Sequence, residues 1–286
     1  GPRGGRMGAI MTTNSLAAQA LLGLGAVALA AVAAVALQAR AEPAVKSGLQ
    51  ALSGRRIFFG HQSVGLNVLD GLRELAALEG AALRVTEARA PGVPPGTLAH
   101  LALAENGDPA RKLRSFAQAF ARGEAAGADL ALMKFCYVDV TAGTDVAALF
   151  AAYQRTVAEV EALSPGTTVV HVTVPLQAVE GGARGWLKGL LGRPRWGAEH
   201  NARREAYNDL LRAAYRGRAP LFDLALAEST RPDGTAETAT WQGREVRALV
   251  PAYTGDGGHL NEAGRRAAAR ALVDALAAAP AARSAP

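Results

Sequence analysis

The sequence has little of what metal- and nucleotide-dependent enzymes need. It contains one cysteine and five histidines, and these residues show no metal-ligand spacing. A glycine-rich phosphate-binding loop and a dinucleotide-binding fingerprint are both missing. The net charge is +6, but no stripe of Lys and Arg interleaved with aromatic residues is present. We therefore expect an activity that needs no cofactor or bound metal, and no nucleic-acid partner.

The single cysteine, Cys136, also excludes an internal disulfide. It stands in an apolar, strand-like run, which predicts a buried and inert thiol. Half of the 286 residues are hydrophobic, so the chain can bury a large core without disulfides, even if it is exported.

The N-terminus has the pattern of a targeting segment. Arg3 and Arg6 precede an apolar run over residues 16–37, and Ala39-Arg40-Ala41 then fits a small-x-small cleavage site. The run is also long enough to span a bilayer, and it has no polar face that would suit a soluble helix. Residues 1–41 are therefore predicted to be a signal peptide or a membrane anchor, which would place the protein in the periplasm, outside the cell or on the membrane.

Residues 42–286 are expected to form one domain, in which strand-like and helix-like segments alternate. The predicted strands are Arg56–Phe59, Leu83–Thr86, Asp129–Phe135, Thr167–Val174 and Pro220–Leu224. The predicted helices are Val64–Leu78, Pro109–Arg122, Val146–Leu163, Ala198–Tyr215 and Glu262–Ala278. The predicted irregular stretches are Ala90–Asn106, Gln177–Gly197 and Ala227–Gly258. This alternation predicts a parallel sheet with helices on both faces and a ligand site beyond the carboxyl ends of the strands.

A serine stands where such a site is expected. The first predicted strand runs into Gly60-His61-Gln62-Ser63-Val64-Gly65, directly before a helix. At a helix N-terminus the amide of Ser63 can face a developing oxyanion, and the helix dipole favours negative charge there. The alternative is that Ser63 merely caps the helix, which is the commoner use of serine at this position.

A second motif precedes the last predicted helix. Asp256-Gly257-Gly258-His259 contains two glycines that permit a tight turn, so Asp256 can reach back to one ring nitrogen of His259. That contact would fix the tautomer and leave the other nitrogen free to act as a base. Asn261 is a natural cap for the helix that follows. The alternative is a glycine-rich turn with an incidental histidine.

Together the two motifs resemble the SGNH, or GDSL-like, hydrolase family. In that family the nucleophilic serine follows the first strand and an Asp-x-x-His pair precedes the final helix. The resemblance spans residues 55–276, and it implies a three-layer α/β/α sandwich with a parallel, flavodoxin-like sheet. It also implies a catalytic triad of Ser63, Asp256 and His259. The order of the motifs differs from that of the α/β-hydrolase fold, which expects Gly-x-Ser-x-Gly midway along the chain.

The chain departs from the family pattern around the oxyanion hole. The family reads Gly-Asp-Ser-Leu at the serine, whereas this chain has Gln62 before Ser63. The family's third block, Gly-x-Asn-Asp, supplies an asparagine that donates to the oxyanion; the corresponding stretch here, residues 135–139, contains no asparagine, and the side chain of Val138 cannot donate. The remaining candidates for oxyanion or substrate contacts are Gly96, Asn106, Gly107 and His61.

Four further polar residues have a structural and a functional interpretation. His61 could bind substrate or pack beside the site, with neither favoured. For the others the structural interpretation is favoured: Lys134 snorkels at a strand end, Asp139 serves a turn or cap, and His171 is a hydrogen-bonded core residue.

The resemblance implies a serine hydrolase that cleaves carboxylic esters through an acyl-enzyme. We expect a small-molecule or carbohydrate ester as substrate, with O-acyl groups on an envelope carbohydrate or lipid as the leading class. Two alternatives stay open: an acyltransferase, and a non-catalytic glycan-binding domain on the same fold.

Overall fold

The computed structural model describes residues 44–179 and 197–280, which belong to one compact unit. The predicted targeting segment, with its apolar run 16–37, lies outside the described residues, as does most of the predicted stretch 177–197. In the part of the chain that is described, no helix is both long and apolar enough to cross a membrane.

The centre of the domain is a sheet of six parallel strands in the order β2-β3-β1-β4-β5-β6. The strands are β1 (Arg56–His61), β2 (Arg84–Glu87), β3 (Thr97–Ala102), β4 (Leu130–Met133), β5 (Thr168–Val172) and β6 (Leu221–Phe222). A separate antiparallel hairpin consists of β7 (Thr238–Trp241) and β8 (Arg244–Arg247).

Helices cover both faces of the sheet. The helices are α1 (44–52), α2 (Val64–Leu78), α3 (Pro109–Ala121), α4 (Val146–Leu163), α5 (Ala198–Tyr215), α6 (Leu224–Ser229) and α7 (Glu262–Ala277). Ile57 and Phe59 of β1 point into a core shared with α1, α2 and α7. Phe58 points the other way, into a second core shared with α3, α4 and α5. This alternation is the period of a strand buried on both faces, and the predicted three-layer α/β/α sandwich is confirmed.

One strand was not expected from the sequence. Residues 90–106 are predicted to be a loop, yet Thr97–Ala102 form β3, which lies between β2 and β1. Leu98 and Ala99 are buried there. Thr97 is the only β-branched residue of this strand, so its conformation is determined by burial between two neighbours rather than by local propensity.

The predicted irregular stretch 227–258 is also partly regular, because it contains the end of α6 and the whole β7–β8 hairpin. His171 of β5 is buried, as predicted for a core histidine. Its Nδ1 lies 2.7 Å from the Tyr153 hydroxyl, and its ring stacks on Tyr215 at 3.4 Å between centroids.

The side of the sheet to which successive strands are added switches at β1, because β3 lies on one side of β1 and β4 lies on the other. In parallel α/β sheets such a switch point opens a crevice at the carboxyl ends of the strands. The segments that leave β1, β3 and β4 therefore meet at one edge, and Ser63 follows β1 at that edge.

Candidate active site

Ser63 forms the sharp turn between β1 and α2. Its backbone has φ 39° and ψ −97°, a left-handed conformation that is strained for a residue with a side chain. The close approach also requires Gly65, because a Cβ there would lie 2.4 Å from Cβ of His61. Ser63 is the residue at the N-terminal cap position of α2, but its hydroxyl makes no capping hydrogen bond with the helix. Its Oγ instead lies 2.9 Å from Nε2 of His259.

The turn before α7 orients the histidine. Nδ1 of His259 donates a hydrogen bond to Oδ2 of Asp256 at 2.6 Å. The other carboxylate oxygen accepts the backbone amides of Gly258 and His259 at 2.9 and 2.8 Å. The His259 hydrogen bond is the main reason why the pKa of Asp256 is held well below its usual range, so this carboxyl is ionised at neutral pH. With Nδ1 occupied as a donor, Nε2 is the acceptor that faces Ser63.

Contacts with α2 and with the helix that follows hold the turn in place. The Leu260 amide donates to Oδ1 of Asn67 on α2 at 3.1 Å. Asn261 caps α7 by accepting the Gly264 amide at 3.2 Å, as predicted. The sequence does not predict the Asn67 contact, because nothing in the pattern of α2 indicates which of its polar residues meets a turn so distant along the chain.

Of the two oxyanion candidates that follow β3, only Asn106 remains. The amide of Gly107 donates to Oδ1 of Asp139 at 2.7 Å, so it is already used and is not available to an oxyanion. Asn106 is exposed, and its Oδ1 accepts a hydrogen bond from Nζ of Lys112 at 2.6 Å. Asp139 also accepts the Cys136 amide, which fits the predicted turn or cap role.

Gly96 lies at the wrong edge of the sheet for a role beside Ser63. It precedes Thr97, which pairs with Arg56 at the start of β1, whereas Ser63 follows the end of that strand. Six residues of strand, at about 3.3 Å each, separate the two edges by roughly 20 Å. The positive φ of Gly96, 65°, serves a tight approach to the Ser53 carbonyl instead.

His61 packs inside the domain. Its side chain is buried, and Nε2 lies 3.1 Å from Nδ1 of His100, whose Nε2 accepts from Arg73 at 3.2 Å. Burial is the main cause that lowers the pKa of His61 to about 3, with the neighbouring His100, Lys134 and Arg73 acting in the same direction. The packing interpretation of His61 is therefore the correct one.

Cys136 and Tyr137, to which the sequence analysis gave no role in the site, contact the reacting side chains. Sγ of Cys136 lies 3.7 Å from Oγ of Ser63, so this buried thiol lines the site. The ring of Tyr137 packs edge-on against the His259 ring, with centroids 6.0 Å apart. Both residues directly follow a predicted strand, and that position was the available signal. Lys134, predicted to snorkel, is fully buried.

The arrangement can activate a hydroxyl nucleophile. A base lies within hydrogen-bond distance of Ser63, and a carboxylate holds that base in the tautomer it needs. The His259 and Asp256 side chains are 45% and 58% exposed, so the site is open to solvent. Within residues 44–179 and 197–280, no group of three His, Cys, Asp or Glu side chains could hold a metal ion.

Comparison with known proteins gives similarity at the level of solved structures alone. No protein-family model and no curated protein matches the chain. A protein from Streptococcus pneumonia, provisionally described as a platelet activating factor, is 14% identical with a TM-score of 0.45, over 88% of this chain and 99% of its own. A candidate lipase from Chitinophaga pinensis is 14% identical with a TM-score of 0.42, over 76% and 95%. A salicylyl-acyltransferase from a tetracycline biosynthetic pathway is 14% identical with a TM-score of 0.39, over 77% and 53%. Similarity of this extent leaves the activity to be argued from the site itself.

Proposed function

We propose that this chain is a serine esterase of the SGNH type, with Ser63 as nucleophile, His259 as base and Asp256 as the residue that orients the base. The observation that carries the proposal is the continuous hydrogen-bonded chain from Ser63 through His259 to Asp256. Its position at the switch point of a parallel sheet, on a strained turn at a helix N-terminus, supports the same assignment.

The chemistry follows from the roles of the three residues. Oγ of Ser63 attacks the ester carbonyl carbon while Nε2 of His259 takes the hydroxyl proton. The tetrahedral intermediate collapses, and His259 gives this proton to the departing alcohol, which leaves an acyl group on Ser63. Water then attacks the acyl-enzyme with His259 again as base, releasing the carboxylic acid and restoring the Ser63 hydroxyl.

Hydrolysis is favoured over acyl transfer by the exposure of the site. An acyltransferase has to keep water away from its acyl-enzyme, whereas the His259 imidazole is nearly half exposed. An open site also suits an ester whose alcohol part is large, such as an acylated envelope carbohydrate or lipid. We therefore propose O-acyl groups on an envelope carbohydrate or lipid as the substrate class, as expected from the sequence.

The test is hydrolysis of a simple aryl acetate by the parent protein, by Ser63→Ala and by Asp256→Asn. Ser63→Ala should abolish turnover above the uncatalysed rate. Asp256→Asn should lower kcat by about 10³–10⁴-fold, because the His259 tautomer is no longer fixed. Asp233→Asn is the matched control, since Asp233 also accepts hydrogen bonds within its own exposed turn, formed with Thr235. If the parent hydrolyses no acyl ester faster than Ser63→Ala, the glycan-binding alternative takes the place of the esterase.

A further inference from the structure

The loop that follows β4, residues 135–140, contacts both reacting side chains. Cys136 lies against the Ser63 hydroxyl at 3.7 Å, and Tyr137 packs edge-on against His259. This 135–140 loop occupies the position where the SGNH resemblance would place an oxyanion-binding asparagine, and Val138 offers no side-chain donor there. The geometry around Ser63 therefore depends on what holds this loop.

Three buried cations hold the 135–140 loop. Nζ of Lys134 donates to the Phe135 carbonyl at 3.2 Å. Nε of Arg204 donates to the carbonyls of Tyr137 and Val140 at 2.8 and 3.1 Å. Lys112 forms an ion pair with the Asp139 carboxylate. Lys134 and Lys112 are 0% exposed and Arg204 is 2% exposed. Lys and Arg are almost never fully buried without a specific partner, because removing the charge from water is costly.

Lys134 and Asp139 fix opposite sides of one peptide group. The Phe135 carbonyl accepts from Lys134, while the amide on the other side of the same peptide bond, that of Cys136, donates to Asp139 at 2.5 Å. This is the peptide that carries Cys136 to Ser63. The amide of Lys134 donates to the Gly60 carbonyl at 3.1 Å, so the lysine also lies beside the end of β1, three residues before Ser63.

Positive charge exceeds negative charge in this buried cluster. Asp139 is the partner of Lys112, whereas Arg204 binds the neutral oxygens of Asn201 and Gln177 at 2.7 and 2.9 Å. The other buried carboxyl, Glu228, accepts the Leu176 amide at 2.8 Å. Burial raises the pKa of Glu228 to about 8, so this group is mostly neutral at pH 7.

Lys134 is subject to two opposing influences. Burial is the main cause that lowers the pKa of Lys134, and the like charge of Lys112 acts in the same direction, while Cys136 and Asp139 favour the charged form. A charge held in such a low-dielectric surrounding acts on its neighbours far more strongly than it would in water.

We propose that Lys134 is a positioning residue for the reaction at Ser63: it holds the 135–140 loop against the nucleophile, and its buried positive charge stabilises the negative charge that forms on the substrate oxygen. The inference rests on the proposed esterase function. In this chain, the charge of Lys134 would supply part of the oxyanion stabilisation that a side-chain hydrogen-bond donor supplies in other enzymes of this chemistry.

The test separates this role from a purely structural one. Lys134→Met removes the charge and the donor, and Lys134→Gln keeps a donor for the Phe135 carbonyl but removes the charge. Each should lower kcat for an aryl acetate by about 10- to 100-fold, less than or equal to the ~10²–10³-fold loss for a direct oxyanion donor, with KM unchanged within about 2-fold. Lys134→Met leaves the buried Phe135 carbonyl without its donor, so urea unfolding of each variant has to give its folded fraction, and kcat is then compared per folded molecule.

Glu228→Gln is the matched control, because Glu228 is as deeply buried and belongs to the same cluster. Its Oε2 contact with Leu176 can be kept by the amide oxygen, and kcat should stay within about 2-fold of the parent, since the carboxyl is already mostly neutral. If Lys134→Met does not fold, Lys134→Gln carries the test.

Two results would overturn the inference in distinguishable ways. Parent-like kcat in the Lys134 variants, or a loss of activity that only matches the unfolded fraction, would overturn the role of Lys134 and leave the esterase standing. A parent without Ser63-dependent hydrolysis would overturn the esterase, and the inference with it.

Discussion

Oγ of Ser63 and Nε2 of His259 lie 2.9 Å apart although 196 positions separate them in the chain. The packing of α2 against α7 produces this contact. A Cβ on Gly71 of α2 would lie 2.4 Å from the Arg265 carbonyl of α7, so glycine lets the two helices approach closely. Asn67 of α2 then binds the Leu260 amide beside the histidine. One helix pair thus places both turns of the candidate triad.

The side chain of Asn106 is predicted to donate to the oxyanion. Asn106→Ala should lower kcat for an aryl acetate by about 10²–10³-fold. Asn106→Asp is the informative partner, because it keeps an oxygen for Lys112 but has no N–H donor. Equal losses in both variants would support donation by Asn106. Loss in Asn106→Ala alone would assign its role to Lys112, and full activity in both would mean that backbone amides suffice.

The close contact between Gly258 and Tyr137 gives a second prediction. A Cβ on Gly258 would lie 2.8 Å from the Tyr137 ring, so Gly258→Ala has to displace either the tyrosine or the turn that carries His259. We expect kcat to fall by about 10- to 100-fold, since a shift of about 1 Å in a reacting group has an effect of this order. Gly255→Ala, in the same loop, meets nothing within 4 Å and should behave like the parent. Equal activity of the two variants would contradict the role given to this contact.

Acid should destabilise the protein through its buried histidines. Burial lowers the pKa of His61 to about 3 and that of His171 to about 4, whereas an unfolded histidine has a pKa of about 6.5. Their contribution to stability is therefore complete above about pH 6.5 and is lost as the pH falls toward 4 and 3, because the unfolded chain binds protons that the folded chain does not. In this pH range each histidine should lower the free energy of unfolding by at most about 1.4 kcal/mol for every unit by which the pH falls.

Urea unfolding of the parent and of His61→Gln, at several values between about pH 7.5 and about pH 4.5, checks this prediction. Below pH 6.5 the free energy of unfolding of His61→Gln should fall less steeply with decreasing pH than that of the parent, by roughly the contribution of one histidine. This difference in slope is expected whatever the stability of the variant at neutral pH. An identical slope in both proteins would show that His61 is not a buried neutral group in solution.

The triad residues could be predicted because their signals are local. Ser63 stands between a strand and a helix, and Asp256 needs only the short glycine turn to reach His259. β3 could not, because its Ala, Leu and His residues acquire a strand conformation from burial between β1 and β2. Because β3 is not predicted, the sequence does not show that Gly96 and Gly107 lie at opposite edges of the sheet.

The sequence does not predict the polar contacts around the site, because the two partners of each contact come from separate segments of the chain. Lys112, on α3, is buried through Asp139, which lies in the loop after β4. Arg204 reaches the same loop from α5, and a surface helix gives no local sign that its arginine points inward. Lys134 follows the last residue of β4 and is fully buried with its Nζ on the Phe135 carbonyl, so the predicted snorkelling to solvent is wrong.

The central claim, that Ser63 is a nucleophile activated by His259, is tested most directly by covalent labelling with a serine-directed phosphonate followed by intact-mass and peptide mass spectrometry. We predict one adduct per chain, located on Ser63, formed by the parent and lost in Ser63→Ala. In His259→Ala, adduct formation should be slowed by about 10³-fold or more, because the hydroxyl has lost its base. A parent that remains unlabelled, or a label that forms at the same rate without His259, would contradict the account.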